Sequence, residues 1–188
     1  MQQFNLEKTK RLTLVSMLLA AAFILSWVER AVDIPVIIPG IKLGLANIVI
    51  LFTMCTCGKK EALFVLVGRL ILNALLFGTA LSLVYSAAGG LLSFGVMCLA
   101  MVVFKTKTTV ASICGGIFHN IGQLFCAGVI MNTTAVITYL PYLILGGILA
   151  GAINGMIVKK VSSLKIFSKI NNKDIPAKTN NKFKTEQK

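Results

Sequence analysis

The sequence predicts an all-α, polytopic membrane protein with six transmembrane helices packed in one bundle. Three observations predict it. Apolar residues make up 56% of the 188-residue chain and charged residues 13%, whereas a soluble domain carries about 25% charge, so the chain cannot cover itself with a water-facing surface. Between Leu70 and Phe104 there is no formal charge, and between Thr108 and Val158 the ionisable side chains besides His119 are cysteines and tyrosines. A membrane helix takes roughly 20 apolar residues, so each of these gaps is too long for one span. Finally, the net charge of +13 sits between apolar runs. In a soluble protein it would point to a polyanion; here membrane topology accounts for it, and a soluble enzyme, a nucleic-acid binder and a secreted disulfide scaffold are excluded.

The first span is expected at Leu12–Val28, after a short cytoplasmic segment, residues 1–11. It resembles a signal peptide in length, but no small-x-small cleavage site precedes a mature domain, and Glu29-Arg30 runs straight into Pro-rich sequence, so it reads as a retained span. The second span, Leu43–Cys57, is short. The third and fourth, Ala62–Gly78 and Leu81–Phe104, meet at Gly78-Thr79. The fifth and sixth are Val110–Met131 and Ala135–Val158. Strand alternation of the kind a barrel needs is not visible. The membrane domain is thus expected over residues 12–160. The basic tail, residues 161–188, starts with Val161, Leu164, Phe167 and Ile170 at three-residue intervals, a short interfacial helix on anionic lipid, and its Asn/Lys-rich remainder is expected to be disordered.

Orientation follows from the cations. Lys8, Lys10 and Arg11 precede span one, Lys59 and Lys60 follow span two, Lys105 and Lys107 follow span four, and nine lysines follow span six. Six spans place all of these on one side, with both termini cytoplasmic in a bacterial cytoplasmic membrane; five would split them across both faces.

Cys55 and Cys57 form a C-x-C, and Cys98, Cys114 and Cys126 are scattered, so neither a zinc ribbon nor a haem attachment motif is present. One histidine cannot ligate a b-type haem. The acids Glu7, Glu29, Asp33, Glu61, Asp174 and Glu186 neither cluster nor fall deep within a span. Magnesium-dependent diphosphate chemistry needs clustered carboxylates. No catalytic residue, metal or cofactor is expected.

The candidate binding residues are polar groups inside the spans. Arg69 lies near the middle of span three, where an arginine costs about 2.5–3.5 kcal/mol on insertion scales. Asn73 is one turn on, on the same face, and no carboxylate within a span is expected to neutralise the cation. In span five, His119 and Gln123 share a face and Asn120 is adjacent; such groups must face protein or a cavity rather than lipid. Interhelical hydrogen bonding alone also accounts for them. Between spans one and two, Pro35-Val-Ile-Ile-Pro39-Gly describes a loop on the outer surface, followed by Lys42 and Asn47, a plausible lid or anion-binding helix start. Gly147-xxx-Gly151-xxx-Gly155 is a small-residue stripe that reads first as packing within the bundle and second as docking for a partner subunit. Asn132-Thr-Thr matches a glycosylation sequon, a short and weak pattern.

PGIKLGLANIV (Pro39–Val49), GRLILN (Gly68–Asn73), GGLLS (Gly89–Ser93) and GGIFHNIGQL (Gly115–Leu124) together resemble the Gx transporter family, also called heptaprenyl diphosphate synthase component I, over roughly residues 10–160. The family is similar to the six-helix substrate-binding S components of energy-coupling factor transporters, which capture vitamins in an outward-facing cavity, and some members are associated with flavin-based extracellular electron transfer. The resemblance implies a transport protein for a small anionic or amphipathic solute, working in membrane lipid and energised by a partner such as an ATPase module. It also implies two alternatives: a membrane subunit of a flavin/quinone electron-transfer system, and a non-catalytic accessory subunit of a prenyl diphosphate synthase. The Ala-xxx-Ala docking pattern of S components is approximated here by Ser16-xxx-Ala20, and the covalent-flavin pattern Asp-x-x-Ser-Gly-Ala-Thr is absent. Arg69 would supply the positive field, Lys42 a second cation near the mouth, and Asn47, Asn73, His119, Asn120 and Gln123 the orienting hydrogen bonds.

Overall fold

The described residues form a succession of helices. In the computed structural model, which describes residues 2–31, 44–77, 80–103 and 106–164, the elements are α1 (Gln2–Ala31), α2 (Leu45–Thr56), α3 (Lys59–Phe77), α4 (Ala80–Val102), α5 (Thr108–Met131), a 3₁₀ turn (Ala135–Tyr139) and α6 (Leu140–Ser162). No strand occurs among the described residues. Stretches within α1, α4, α5 and the turn-plus-α6 unit are long and apolar enough to cross a membrane, and α1 is expected to lie in it from Thr9 to Glu29. These four mark the chain as a multi-pass membrane protein.

The remaining two helices differ from the expected spans. α2 has 12 residues, about 18 Å at 1.5 Å per residue, against a hydrocarbon core of about 30 Å. It is shorter than the expected Leu43–Cys57 span and is not among the four helices of membrane length. Eight of its residues are buried, because it stands inside the bundle and touches α1, α3, α4 and α6. Its hydroxyls turn inward without cost: Thr53 Oγ1 donates to the Val49 carbonyl at 2.7 Å and Thr56 Oγ1 to the Phe52 carbonyl at 2.8 Å, satisfying groups that burial would otherwise leave unpaired. α3 has 19 residues and starts with Lys59, Lys60 and Glu61; with Arg69 it carries too much charge to stand with the four apolar helices.

Between α2 and α3, Gly58 adopts φ 113°, a left-handed conformation that glycine takes without a Cβ penalty. Its N–H and that of Cys57 both donate to the Thr53 carbonyl, at 3.0 and 2.8 Å, which closes the end of α2. Arg11 of α1 clamps this turn, donating to the Cys57 carbonyl at 2.8 Å and pairing with Glu61 at 2.6 Å.

Beyond α3 the helices pack antiparallel, and glycines set the spacing. A Cβ on Gly122 would stand 2.8 Å from the Ala88 carbonyl oxygen, so α4 and α5 meet backbone to backbone. On the other side of α5, a Cβ on Gly151 would stand 2.6 Å from the Ile113 Cα, and one on Gly155 2.7 Å from the Thr109 Cα. The small-residue stripe of α6 is therefore filled by α5, the first of the two readings offered by its spacing. Asn132 ends α5 at φ 47°, its N–H returning to the Gly128 and Val129 carbonyls. Leu75, Phe125, Val129, Leu145 and Leu149 are among the large apolar side chains left exposed, as a lipid-facing surface requires.

The Pro35–Lys42 loop, the Gly78-Thr79 break, and Phe167, Ile170 and the rest of the tail lie outside the described residues. α6 itself continues through Val161 to Ser162.

Candidate functional site

α3 carries Arg69 into the interior, where it is 7% exposed. Its Nη1 donates to Ser26 Oγ of α1 at 3.3 Å, at the long end for a hydrogen bond. Ser26 is oriented by its own bond to the Ala22 carbonyl at 2.8 Å. Nη2 lies toward α4, where a Cβ on Gly90 would stand 3.5 Å from it. Nε has no hydrogen-bond partner.

Among the described residues no carboxylate forms an ion pair with Arg69. α1 continues past Val28, where the first span was expected to end, and carries Glu29, whose carboxylate accepts the Gly44 N–H at the start of α2.

Asn73 does share the face of Arg69, and its Nδ2 donates to the Arg69 carbonyl at 2.8 Å. Its Oδ1 has no partner, and neither does Ser93 Oγ on the inner face of α4, where Ser93 is 1% exposed. Buried polar atoms in folded proteins are nearly always paired. Three such atoms on α3 and α4, one of them on a cation, are an uncommon concentration.

A second polar group forms where α2, α5 and α6 converge. Asn47, His119, Asn120 and Asn154 line a cavity floored by Gly44, Gly116 and Gly147. Asn120 Nδ2 donates to the Leu143 carbonyl at 2.8 Å, tying α5 to α6. Asn154 Nδ2 donates to the Gly44 carbonyl at 3.2 Å, tying α6 to the start of α2. Gly44 holds φ 68° so that its N–H and carbonyl reach α1 and α6 at once. The cavity measures about 10 Å³, on a scale where one water takes about 10–15 Å³. A solute site spans roughly 300–1,000 Å³, so this cavity has no room for a vitamin-sized solute.

The structure thus divides the expected site residues. Arg69 and Asn73 belong to the α1–α3–α4 group; Asn47, His119 and Asn120 line the α2–α5–α6 cavity. Gln123 lines neither; its Cγ lies 2.8 Å from where a Gly89 Cβ would stand, so it packs on α4. Lys42 lies outside the described residues. The adjacent glycines Gly89 and Gly90 face opposite ways, the first toward His119 and Gln123, the second toward Leu66 and Arg69, and α4 separates the two groups. Glu29 and Gly44 connect them, through the bond from Gly44 to Glu29 and the bond from Asn154 to Gly44. Sequence reasoning did not single out Ser26, Glu29, Ser93 or Asn154. Asn154 carried a usable signal, an amide in an apolar run directly beside Gly155.

Among the described residues no three His, Cys, Asp or Glu side chains converge as metal ligands. What the arrangement offers chemically is a desolvated guanidinium with an unused donor, suited to holding an anion.

Comparison with known proteins identifies the family. The family model described as heptaprenyl diphosphate synthase component I matches residues 18–161. No curated protein and no solved structure matches the chain.

Proposed function

The chain belongs to the heptaprenyl diphosphate synthase component I family, and from that premise we propose that it is a membrane transport protein that binds a small anionic or amphipathic solute at Arg69. The observation that carries this reading is a 93%-covered arginine, 7% exposed, with no ion pair among the described residues and an Nε without a partner. An intramembrane charge is functional by default, and retaining one without a direct counter-ion is hard to account for by packing. In the full reading, six spans in an arrangement similar to transporter S components stand in a bacterial cytoplasmic membrane with both termini inside. The solute enters from outside when α4 moves away from α3, and a partner or gradient supplies the energy. Asn47, Asn73, His119, Asn120, Gln123 and Lys42 would orient the solute or line its path. Four membrane-length apolar helices support the membrane setting.

Native mass spectrometry of the protein in mild detergent, beside Arg69→Ala, tests the reading. A small anion on the wild type and lost in the variant is expected, and its mass names the solute. A wild type free of small molecules but carrying a protein partner would overturn the proposal.

A second reading is favoured by the family description itself: a non-catalytic subunit of heptaprenyl diphosphate synthase. Adding this protein in lipid to the soluble synthase subunit would then raise prenyl-transfer activity. No gain at any ratio would remove it.

A further inference from the structure

The guanidinium of Arg69 is not uniformly engaged, and the pattern points to the chemistry of its ligand. Nη1 is the nitrogen bound by Ser26 Oγ, at 3.3 Å. Nε is without a partner, and Nη2 lies toward Gly90, whose missing Cβ would stand 3.5 Å away. Nε and Nη2 form one edge of the planar group, with two N–H bonds that run parallel. That edge matches two oxygens of a carboxylate or phosphate and does not match a single spherical ion. Ser26 holds the opposite end of the guanidinium, and the residue of α4 that faces Nη2 is a glycine, without a side chain.

We infer that Arg69 receives an oxyanion, a carboxylate or phosphate group, bidentately on its Nε–Nη2 edge across Gly90. This rests on the reading of Arg69 as the solute site and narrows it: charge alone does not suffice, and the fork geometry sets the ligand class. The same chemistry is presented by a free solute and by a phospholipid headgroup, so the source is a matter for the experiment.

The test measures thermal unfolding of the full chain in a neutral detergent, titrated with inorganic phosphate, acetate or chloride at constant ionic strength, or with phosphatidylglycerol. A ligand that binds the folded state alone raises the midpoint with concentration. Phosphate or acetate is expected to stabilise the wild type where chloride does not. Stabilisation by phosphatidylglycerol alone would also support the fork and assign the oxyanion to a headgroup. Arg69→Lys keeps the charge and loses the edge, and is expected to weaken the oxyanion effect on the order of tenfold or more. Gly90→Ala places a methyl beside Nη2 and meets the movable Leu66 side chain at 3.1 Å. It should fold, and should weaken the effect comparably, which keeps the test open if the Arg69 variants do not fold. Full retention in Arg69→Lys together with loss in Arg69→Ala would overturn the fork while leaving the anion site standing. Equal stabilisation by chloride would overturn the fork as well. No difference between wild type and Arg69→Ala with any probe would overturn both.

Discussion

Gly151→Ala places a single methyl where α6 crosses α5, and the structure gives the size and sign of its effect. The new Cβ would stand 2.6 Å from the Ile113 Cα and 2.7 Å from the Ser112 carbonyl oxygen. Ordinary carbon contacts lie near 3.5–4.0 Å, so the two helices must separate locally by roughly 1 Å, a gap that forfeits about a quarter to a half of the dispersion well at each contact along the crossing. Both obstructing groups are backbone and cannot rotate aside. Overpacking of this kind costs about 1–3 kcal/mol. Alanine also relieves glycine's helix penalty, a gain of roughly 0.5–1 kcal/mol. Gly95→Ala is the matched control, because nothing lies within 4 Å of its Cβ position. The propensity gain cancels between the two variants, and their difference isolates the crossing at about 1–3 kcal/mol. Equilibrium unfolding in mild detergent, followed by far-ultraviolet circular dichroism, reads it. Gly95→Ala should match or exceed the wild type and Gly151→Ala should fall below it. Equal stability of the two would refute the claim that the stripe is occupied by α5, and would return it to the role of a docking face for another subunit.

Arg69→Leu removes a buried charge that costs about 2.5–3.5 kcal/mol on insertion scales, so thermal stability without ligand should hold or rise while stabilisation by oxyanions disappears; a marked loss of unliganded stability would make Arg69 a structural residue. Asn120→Ala breaks the 2.8 Å bond to the Leu143 carbonyl and should cost roughly 0.6–1.7 kcal/mol in the same unfolding assay. Asn154→Ala frees the Gly44 carbonyl, and hydrogen exchange should speed up at the start of α2 ahead of the rest of that helix. Arg11→Ala removes the pair with Glu61, whose side chains are 48% and 22% exposed, and should cost no more than about 1 kcal/mol.

The helices were legible because their boundaries are set by one-dimensional quantities: charge gaps, Pro and Gly breaks, and lengths measured against a bilayer. α3 ends at Phe77 and α4 begins at Ala80, on either side of the expected join, and Met131 ends α5 in both readings. α2 was legible as short and apolar, but not as an internal post, since its burial depends on which helices surround it. The pairing of Arg69 with Asn73 was readable because helical spacing alone places them on one face. That Arg69 and His119 fall into separate groups was not, because it turns on the opposite facing of two adjacent glycines in α4, a matter of helix rotation that spacing within α3 or α5 does not contain. Glu29 escaped notice for a similar reason. Its contact with Gly44 joins positions 15 residues apart, and that contact requires α1 to stay helical through Glu29. Asn154 reaches Gly44 across 110 residues, a separation at which only the folded bundle brings an amide to a carbonyl.

The central claim is that Arg69 touches the ligand, and nitrogen-15 NMR of the arginine side chains observes this directly. The chain has three arginines, Arg11, Arg30 and Arg69, so the Arg69 Nε–H resonance is identified by its disappearance in Arg69→Lys. On addition of inorganic phosphate, or in protein that retains its co-purified anion, that resonance should shift and its proton should exchange more slowly, while the Arg11 resonance stays in place. Demonstrated anion binding with the Arg69 Nε–H signal unchanged would contradict the account and place the ligand elsewhere in the bundle.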